Sequence, residues 1–194
     1  MARIEPLSLS QLPESMRQKL ESAETLMGFL PNDALIMARW PELLSAVQGL
    51  VQVIYRPGEL DARLKRMIAT VVSAASGCRY CQAHTAHGAV KMAGVDEAKI
   101  AAVWDFKTSP LFTAAERCAL ELALAAGQTP NAATDAHFDA LRQHYSEREI
   151  IEIVAMIALF GFLNRWNATL DTPLENAPRE FAQRVLPPTH WPAC

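Results

Sequence analysis

The sequence predicts an all-α protein, and three observations carry that prediction. Apolar residues recur at helical spacing through most of the 194 residues. Capping signals open these segments, and glycine or proline closes them. No stretch combines strand alternation with hairpin-turn chemistry, although LVQVIY is locally ambiguous. A hydrophobic fraction of 51% with only 8 glycines and 7% aromatics suits packed helices better than a sheet.

The elements follow in order. PESMRQKLESAETLMGF places Met16, Leu20, Ala23 and Met27 on one face and ends before Pro31. WPELLSAVQGLVQVI has Pro41 in its first turn and runs to about Ile54, where YRPG breaks it. In LDARLKRMIATVVSAAS the buried stripe is Leu64, Met67, Ile68, Val71 and Val72. Gly77 punctuates the chain. A helix then begins at about Cys78 and ends at Gly94, and Asp96 caps a short one. Thr113 with Glu116, and Ser146 with Glu149, are capping boxes. HFDALRQHYSERE reads as a charged amphipathic helix carrying His137 and His144 on one face. The tail from Asp171, with Pro173, Pro178, Pro187, Pro188 and Pro192, holds a short helix in PREFAQRVL and then an irregular end. A weak likeness between ELDARLKRMIATVVSAASG and LFTAAERCALELALAAG permits a duplicated helical unit. One domain over 1–194 is expected: a core of about 41–110, a second helical half of about 111–170, and a tail over 171–194.

A net charge of −3 leaves no basic footprint for nucleic acid. The apolar run Ile150–Leu163 contains Glu152 and is too short to span a membrane. The N-terminus lacks the basic-then-apolar pattern of a secretory signal, so a cytoplasmic location is expected. There a C-x-x-C is more often catalytic or metal-binding than a structural disulfide.

SGCRYCQAHTAHG carries the chemistry. Cys78, Cys81, His84 and His87 are all potential zinc ligands. On a continuous helix, however, each step of three turns about 60° backwards, and Cys78 and His87 lie about 13 Å apart along the axis. Convergence on one ion would require the helix to unwind or outside ligands to replace two of these. The dithiol reading fits better. Cys78 and Cys81 at i, i+3 in a first turn are close enough to bridge, and the helix N-terminal field favours thiolate. His84, one turn beyond Cys81, could exchange a proton. Helix geometry makes Cys81 the more shielded thiol and Cys78 the one at the open end. The alternative is two buried core cysteines with histidines at the surface. Cys118 and Cys194 show no partner pattern and read as a core thiol and a tail residue.

These residues resemble a known family. SGCRYCQAH, preceded by LKRMIATVVSAA, is similar to the alkylhydroperoxidase AhpD-like group of the carboxymuconolactone decarboxylase family, over roughly Asp61 to Val95. The resemblance implies an all-α AhpD-like bundle, a homo-oligomer (dimer, trimer or hexamer), and thiol-dependent reduction of a hydroperoxide without metal or organic cofactor. It also implies an external dithiol protein as reductant. Cys81 would be the peroxidatic thiol, and Cys78 would resolve its sulfenic acid as a disulfide. Two positions differ from the family pattern. The relay histidine's place holds Thr85, so His84 would take its part. The relay glutamate's place holds Arg66, which cannot accept a proton and could instead stabilise a thiolate by charge. Further pocket candidates are Tyr80, His87, Asn164 and Trp166, the last two in NRWN at the end of the final long helix. The competing readings are a lyase or decarboxylase on the same fold, which needs no thiol pair, and a non-enzymatic redox-sensing or zinc-binding module.

Overall fold

The computed structural model describes residues 2–189 and 191, without the side chains at 19, 22, 23 and 26. The Ala23 side chain, Pro192 and Cys194 therefore lie outside the described residues. The described residues form ten α-helices: α1 (Glu14–Met27), α2 (Asn32–Met37), α3 (Pro41–Tyr55), α4 (Ala62–Ala75), α5 (Arg79–Ala93), α6 (Glu97–Ala101), α7 (Ala114–Ala126), α8 (Asp135–Arg142), α9 (Glu147–Leu170) and α10 (Asn176–Val185). Among the described residues there is no strand, and no helix is long and apolar enough to cross a membrane. LVQVIY is the last part of α3.

Each boundary has a local cause. Pro41 supplies the fixed φ of a first turn to α3. Asp61 accepts hydrogen bonds from the N–H groups of Arg63 and Leu64 and so caps α4. Both expected capping boxes form, at Thr113–Glu116 for α7 and Ser146–Glu149 for α9. Two expectations need correction. α2 escaped notice because six residues are too few to show a period. HFDALRQHYSERE is two helices, not one: α8 stops at Arg142 because the Ser146 cap restarts the chain as α9. His137 instead folds back to Thr134 at the start of α8, and His144 falls between the helices.

α4 is the axis of the core, packing against α5, α7 and α9. Met67, Ile68, Val71 and Val72 are all buried on it, each worth about 1.5–3 kcal/mol on leaving water. Its approach to the end of α7 is close, since a Cβ on Gly127 would stand 2.8 Å from the Cβ of Ala75. A second, smaller apolar cluster joins Leu12, Leu20, Leu35 and Met37 to Leu44, with Trp166 of α9 against it. That cluster seats the N-terminal segment on the bundle. At the other end, α10 packs on α5 and α6. The two chain ends thus flank α5, the helix that carries the cysteines.

Candidate active site

The site begins at the turn into α5. Gly77 adopts φ 69°, a left-handed conformation that glycine reaches without strain, and this reverses the chain after α4. The Cys78 N–H then donates to the carbonyl of Ser73 at 2.9 Å, which leaves Cys78 as the N-cap of α5 and Cys81 in its first turn. Both are free thiols. Cys78 is 1% exposed and Cys81 3%, so Cys78 is not the open thiol that helix position alone suggested. The reason is tertiary, because α4, α9 and α10 close over the start of α5.

Equal burial does not give equal chemistry. A hydrogen bond from the Cys81 thiol lowers the Cys78 thiol, overcoming burial, and the N–H groups of Cys81 and Tyr80 assist. Those N–H groups form no cap hydrogen bond of good geometry, so they act as the partial positive charge of a helix start. Burial pushes Cys81 well above the ordinary thiol range, and its role as donor to Cys78 raises it further. The Asn167 Nδ2, 3.3 Å from the Cys81 Sγ, pulls the other way.

A hydrogen-bonded chain runs outward from this thiol. Asn167 Nδ2 also lies 3.4 Å from Asp33 Oδ2. The Tyr80 hydroxyl stands 3.3 Å from Asp33 Oδ1 and 2.9 Å from Glu175 Oε1. Glu175 Oε2 is 2.5 Å from His84 Nε2. The His84 ring stacks on Tyr80 at 4.2 Å between centroids and meets Phe29 edge-on at 5.1 Å. Burial raises the Glu175 carboxyl, but hydrogen bonds from His84 and the Asn32 N–H outweigh it and hold the group below the usual carboxylate range. Burial and the two carboxylates push Tyr80 well above its ordinary value, so it remains a hydroxyl.

The other sequence candidates divide. His87 lies beside His84's aromatic surroundings, 5.8 Å from the Phe29 ring and 5.5 Å from Phe181. Burial and the neighbouring His84 and Lys91 lower it. Thr85 is buried and turns its hydroxyl back to the Cys81 and Gln82 carbonyls, so it serves its own helix. Arg66 is half-buried rather than solvated. Its guanidinium lies 4.1 Å over the Tyr55 ring and against Gly88, with Met92 Sδ at 3.6 Å. Asn164 reaches the Val72 carbonyl at 3.5 Å and lines a polar groove of about 550 Å³. Trp166 lines an apolar groove of about 740 Å³ with Trp40 and Phe162. Of the NRWN cluster, only Asn167 is at the thiols. Among the described residues no group of three His, Cys, Asp or Glu side chains is placed to hold a metal ion.

Asp33 and Glu175 had no sequence signal, lying 45 residues before Cys78 and 94 after Cys81. A model of the carboxymuconolactone decarboxylase family matches residues 41–125, and Asp33, Asn167 and Glu175 all lie outside that segment. An uncharacterised Escherichia coli K12 protein, YnjA, is 31% identical over 116 residues, which is 60% of this chain and 63% of that protein. The match thus spans less than two thirds of that relative. Among solved structures, the debrominase Bmp8 without ligand is 39% identical with a TM-score of 0.87, over 94% of this chain and 97% of that one. A cysteine-to-alanine variant of Bmp8 has been solved with 2,3,4-tribromopyrrole and is 38% identical, also at 0.87, over 94% of this chain and 96% of that one. A peroxidase-related protein with an AhpD core from Ralstonia eutropha JMP134 is 25% identical with a TM-score of 0.78, over 93% of this chain and 94% of that one.

Proposed function

The chain belongs to the carboxymuconolactone decarboxylase family, and we propose that within it this protein is a dithiol reductase whose attacking sulfur is Cys78. The observation that carries the reading is the placement of two free, buried thiols at the start of α5, Cys78 at the N-cap and Cys81 in the first turn against the Asn167 amide; the Cys81 hydrogen bond and the helix start draw Cys78 down while burial pushes Cys81 up. That difference suits Cys78 to attack as the thiolate and Cys81 to keep the proton it later gives up. This reverses the roles that the family resemblance implied.

With a hydroperoxide, the Cys78 thiolate attacks the terminal oxygen. The O–O bond breaks, the alkoxide leaves and takes a proton from the site, and Cys78 becomes a sulfenic acid. Cys81 then attacks that sulfur, the S–O bond breaks, and water leaves with the Cys81 proton. The substrate has gained two electrons and the protein holds a Cys78–Cys81 disulfide. An external dithiol returns those electrons. The His84–Glu175 pair, joined to the thiols through Tyr80, Asp33 and Asn167, is the group suited to supply and recover the protons.

A second substrate class is favoured by the full-length likeness to the Bmp8 debrominase and by the aromatic rings of Phe29, Tyr80 and Phe181 around His84 and His87. Here the thiolate attacks a ring bromine. The C–Br bond breaks, the ring carbon takes a proton, and Cys81 displaces bromide from the resulting sulfenyl bromide as the disulfide forms. The protein steps are the same, and only the leaving atom differs.

The deciding experiment gives the reduced chain and a dithiol reductant either an alkyl hydroperoxide or 2,3,4-tribromopyrrole. Repeated consumption of peroxide, or repeated release of bromide, identifies the substrate class. A single oxidation without turnover would mean a sensor, and no oxidation by either compound would sink the reductase reading. We further propose that the protein works as a homo-oligomer. Support comes from its exposed apolar side chains, Trp40 at 62% and Ile151 at 61% among them.

A further inference from the structure

Asp33 is brought to the thiols by the segment that precedes residues 41–125, and the reductase scheme above uses it only as a link between Tyr80 and Asn167. Its position is nevertheless central. The residue is only partly buried as a whole, but its carboxyl turns inward among protein groups. Oδ1 accepts from the Ala34 N–H at 2.7 Å and faces the Tyr80 hydroxyl at 3.3 Å. Oδ2 faces the same Asn167 Nδ2 that donates to Cys81. An amide nitrogen has two N–H groups, so Asn167 serves the carboxyl and the sulfur together.

Tyr80 makes the second connection. Its hydroxyl has one proton and two carboxylate neighbours, and it accepts from the Asp33 N–H at 3.2 Å. The shorter contact goes to Glu175. When Asp33 carries a proton, it can donate to the Tyr80 oxygen while Tyr80 donates to Glu175, which completes the chain to His84. The titratable groups acting on Asp33 are His84 and Glu175, from α5 and the start of α10; it in turn acts on Tyr80, Cys78 and Cys81 of α5. Burial raises the Asp33 carboxyl, Glu175 adds to that, and His84 and Asn167 oppose it. Its negative charge disfavours ionisation of both thiols.

We propose that Asp33 is a positioning residue that restrains the dithiol: tied to Cys81 by the shared Asn167 amide and to His84–Glu175 by the shared Tyr80 hydroxyl, its carboxyl couples the charge of the acidic cluster to the ionisation of the thiols. Charged, it holds the pair back. Neutral, it releases them. This deepens the reductase reading by naming what sets the reactivity of its sulfur.

The test is the pH dependence of iodoacetamide alkylation at Cys78 in the reduced full-length chain. Asp33→Asn keeps the shape and removes the charge. The alkylation inflection is expected to move down by about one pH unit, with about a tenfold faster reaction below it. Asp33→Glu keeps the charge and should keep the parent inflection. Should Asp33→Asn fail to fold, Asp33→Ser removes the same charge with a smaller group and should move the inflection the same way. An inflection unchanged or raised in a folded, charge-free variant overturns the proposal. Alkylation needs no turnover. A chain inert to hydroperoxide and tribromopyrrole but with a movable inflection would defeat only the reductase reading, and an active chain with an immovable one would defeat only this inference.

Discussion

In the proposed scheme, three residues of separation give Cys78 and Cys81 different tasks. Both are buried, so exposure does not choose between them, and the proposed choice rests on position: Cys78 lies at the helix start, and Cys81 lies one turn in against Asn167. Treatment with the oxidising substrate should leave a trapped sulfenic acid, or sulfenyl halide adduct, at Cys78 in Cys81→Ser and none in Cys78→Ser. Peptide mapping after sulfenic-acid labelling reads this. Label at Cys81 in Cys78→Ser would restore the order that the family resemblance implied. The Glu175 carboxyl gives a second expectation. It is held below the usual range, so it stays charged beside His84 at neutral pH and loses that charge as pH falls through its lowered value. Glu175→Gln should therefore lower turnover by about a hundredfold at neutral pH, and the gap between parent and variant should narrow only as pH falls below the usual carboxylate range. Steady-state rates followed from neutral pH down to about pH 3 check both effects.

At the scale of elements, the turn between α4 and α5 fixes where the thiols stand. Gly77 has φ 69°, and a Cβ there would meet nothing within 4 Å, so the cost of a side chain is conformational rather than steric. Gly77→Ala should lower stability by about 1–2 kcal/mol, read as a reduced midpoint in thermal or denaturant unfolding. Because that strain relaxes by shifting Cys78 relative to Cys81, the rate of disulfide formation should fall as well. An unchanged midpoint would show that the turn adopts another conformation. The opposite end of α4 is held by charge. Lys65, buried, donates to Glu152 of α9 at 2.8 Å and to the Ile54 and Arg56 carbonyls at the end of α3. One side chain thus ties three helices.

At the scale of the whole molecule, that ion pair gives a pH signature. Burial raises Glu152, but hydrogen bonds from Lys65, Arg148 and the Glu59 and Leu60 N–H groups bring it down to about 2 from 4.5. A carboxylate lowered on folding stabilises the native state fully above its unfolded value, and that contribution disappears as pH falls through the folded value. The share from Glu152 is on the order of 3 kcal/mol above pH 4.5 and is lost toward pH 2. Urea unfolding at stepped pH should show this slope in the parent and a much weaker one in Glu152→Gln. Lys65→Met should cost about 3 kcal/mol at neutral pH, because it takes the buried cation from Glu152 and leaves the carboxylate to the more exposed Arg148 and the Glu59 and Leu60 N–H groups. The exposed faces of α3 and α9 lead to the last expectation. Leu50, Val53, Ile151, Val154 and Phe162 all remain accessible in one chain, and their burial between copies should give an oligomer by light scattering at micromolar concentration. A monomer there would refute it.

The sequence by itself determined what depends on near neighbours. Capping boxes at Thr113 and Ser146, Pro41 in a first turn, and the period of Leu64 to Val72 act within one or two turns of helix, so their outcome is written locally. The same holds for Cys78 and Cys81 at the start of α5, whose spacing brings the thiols together whatever surrounds them. Burial and protonation are not local. Cys78 looked open at a helix end until neighbouring helices covered it. Thr85 and Arg66 stood at the places where the family keeps its relay, yet the structure turns one to its own backbone and stacks the other on Tyr55. The acids at the site are Asp33 and Glu175, from opposite ends of the chain. Their meeting rests on the docking of α2 and α10 beside α5, held by Asn32 to Pro173 and by Glu175 to the Asn32 N–H. No spacing rule reaches across 142 residues, and only the packing of the ends against the centre decides which carboxyls the thiols feel.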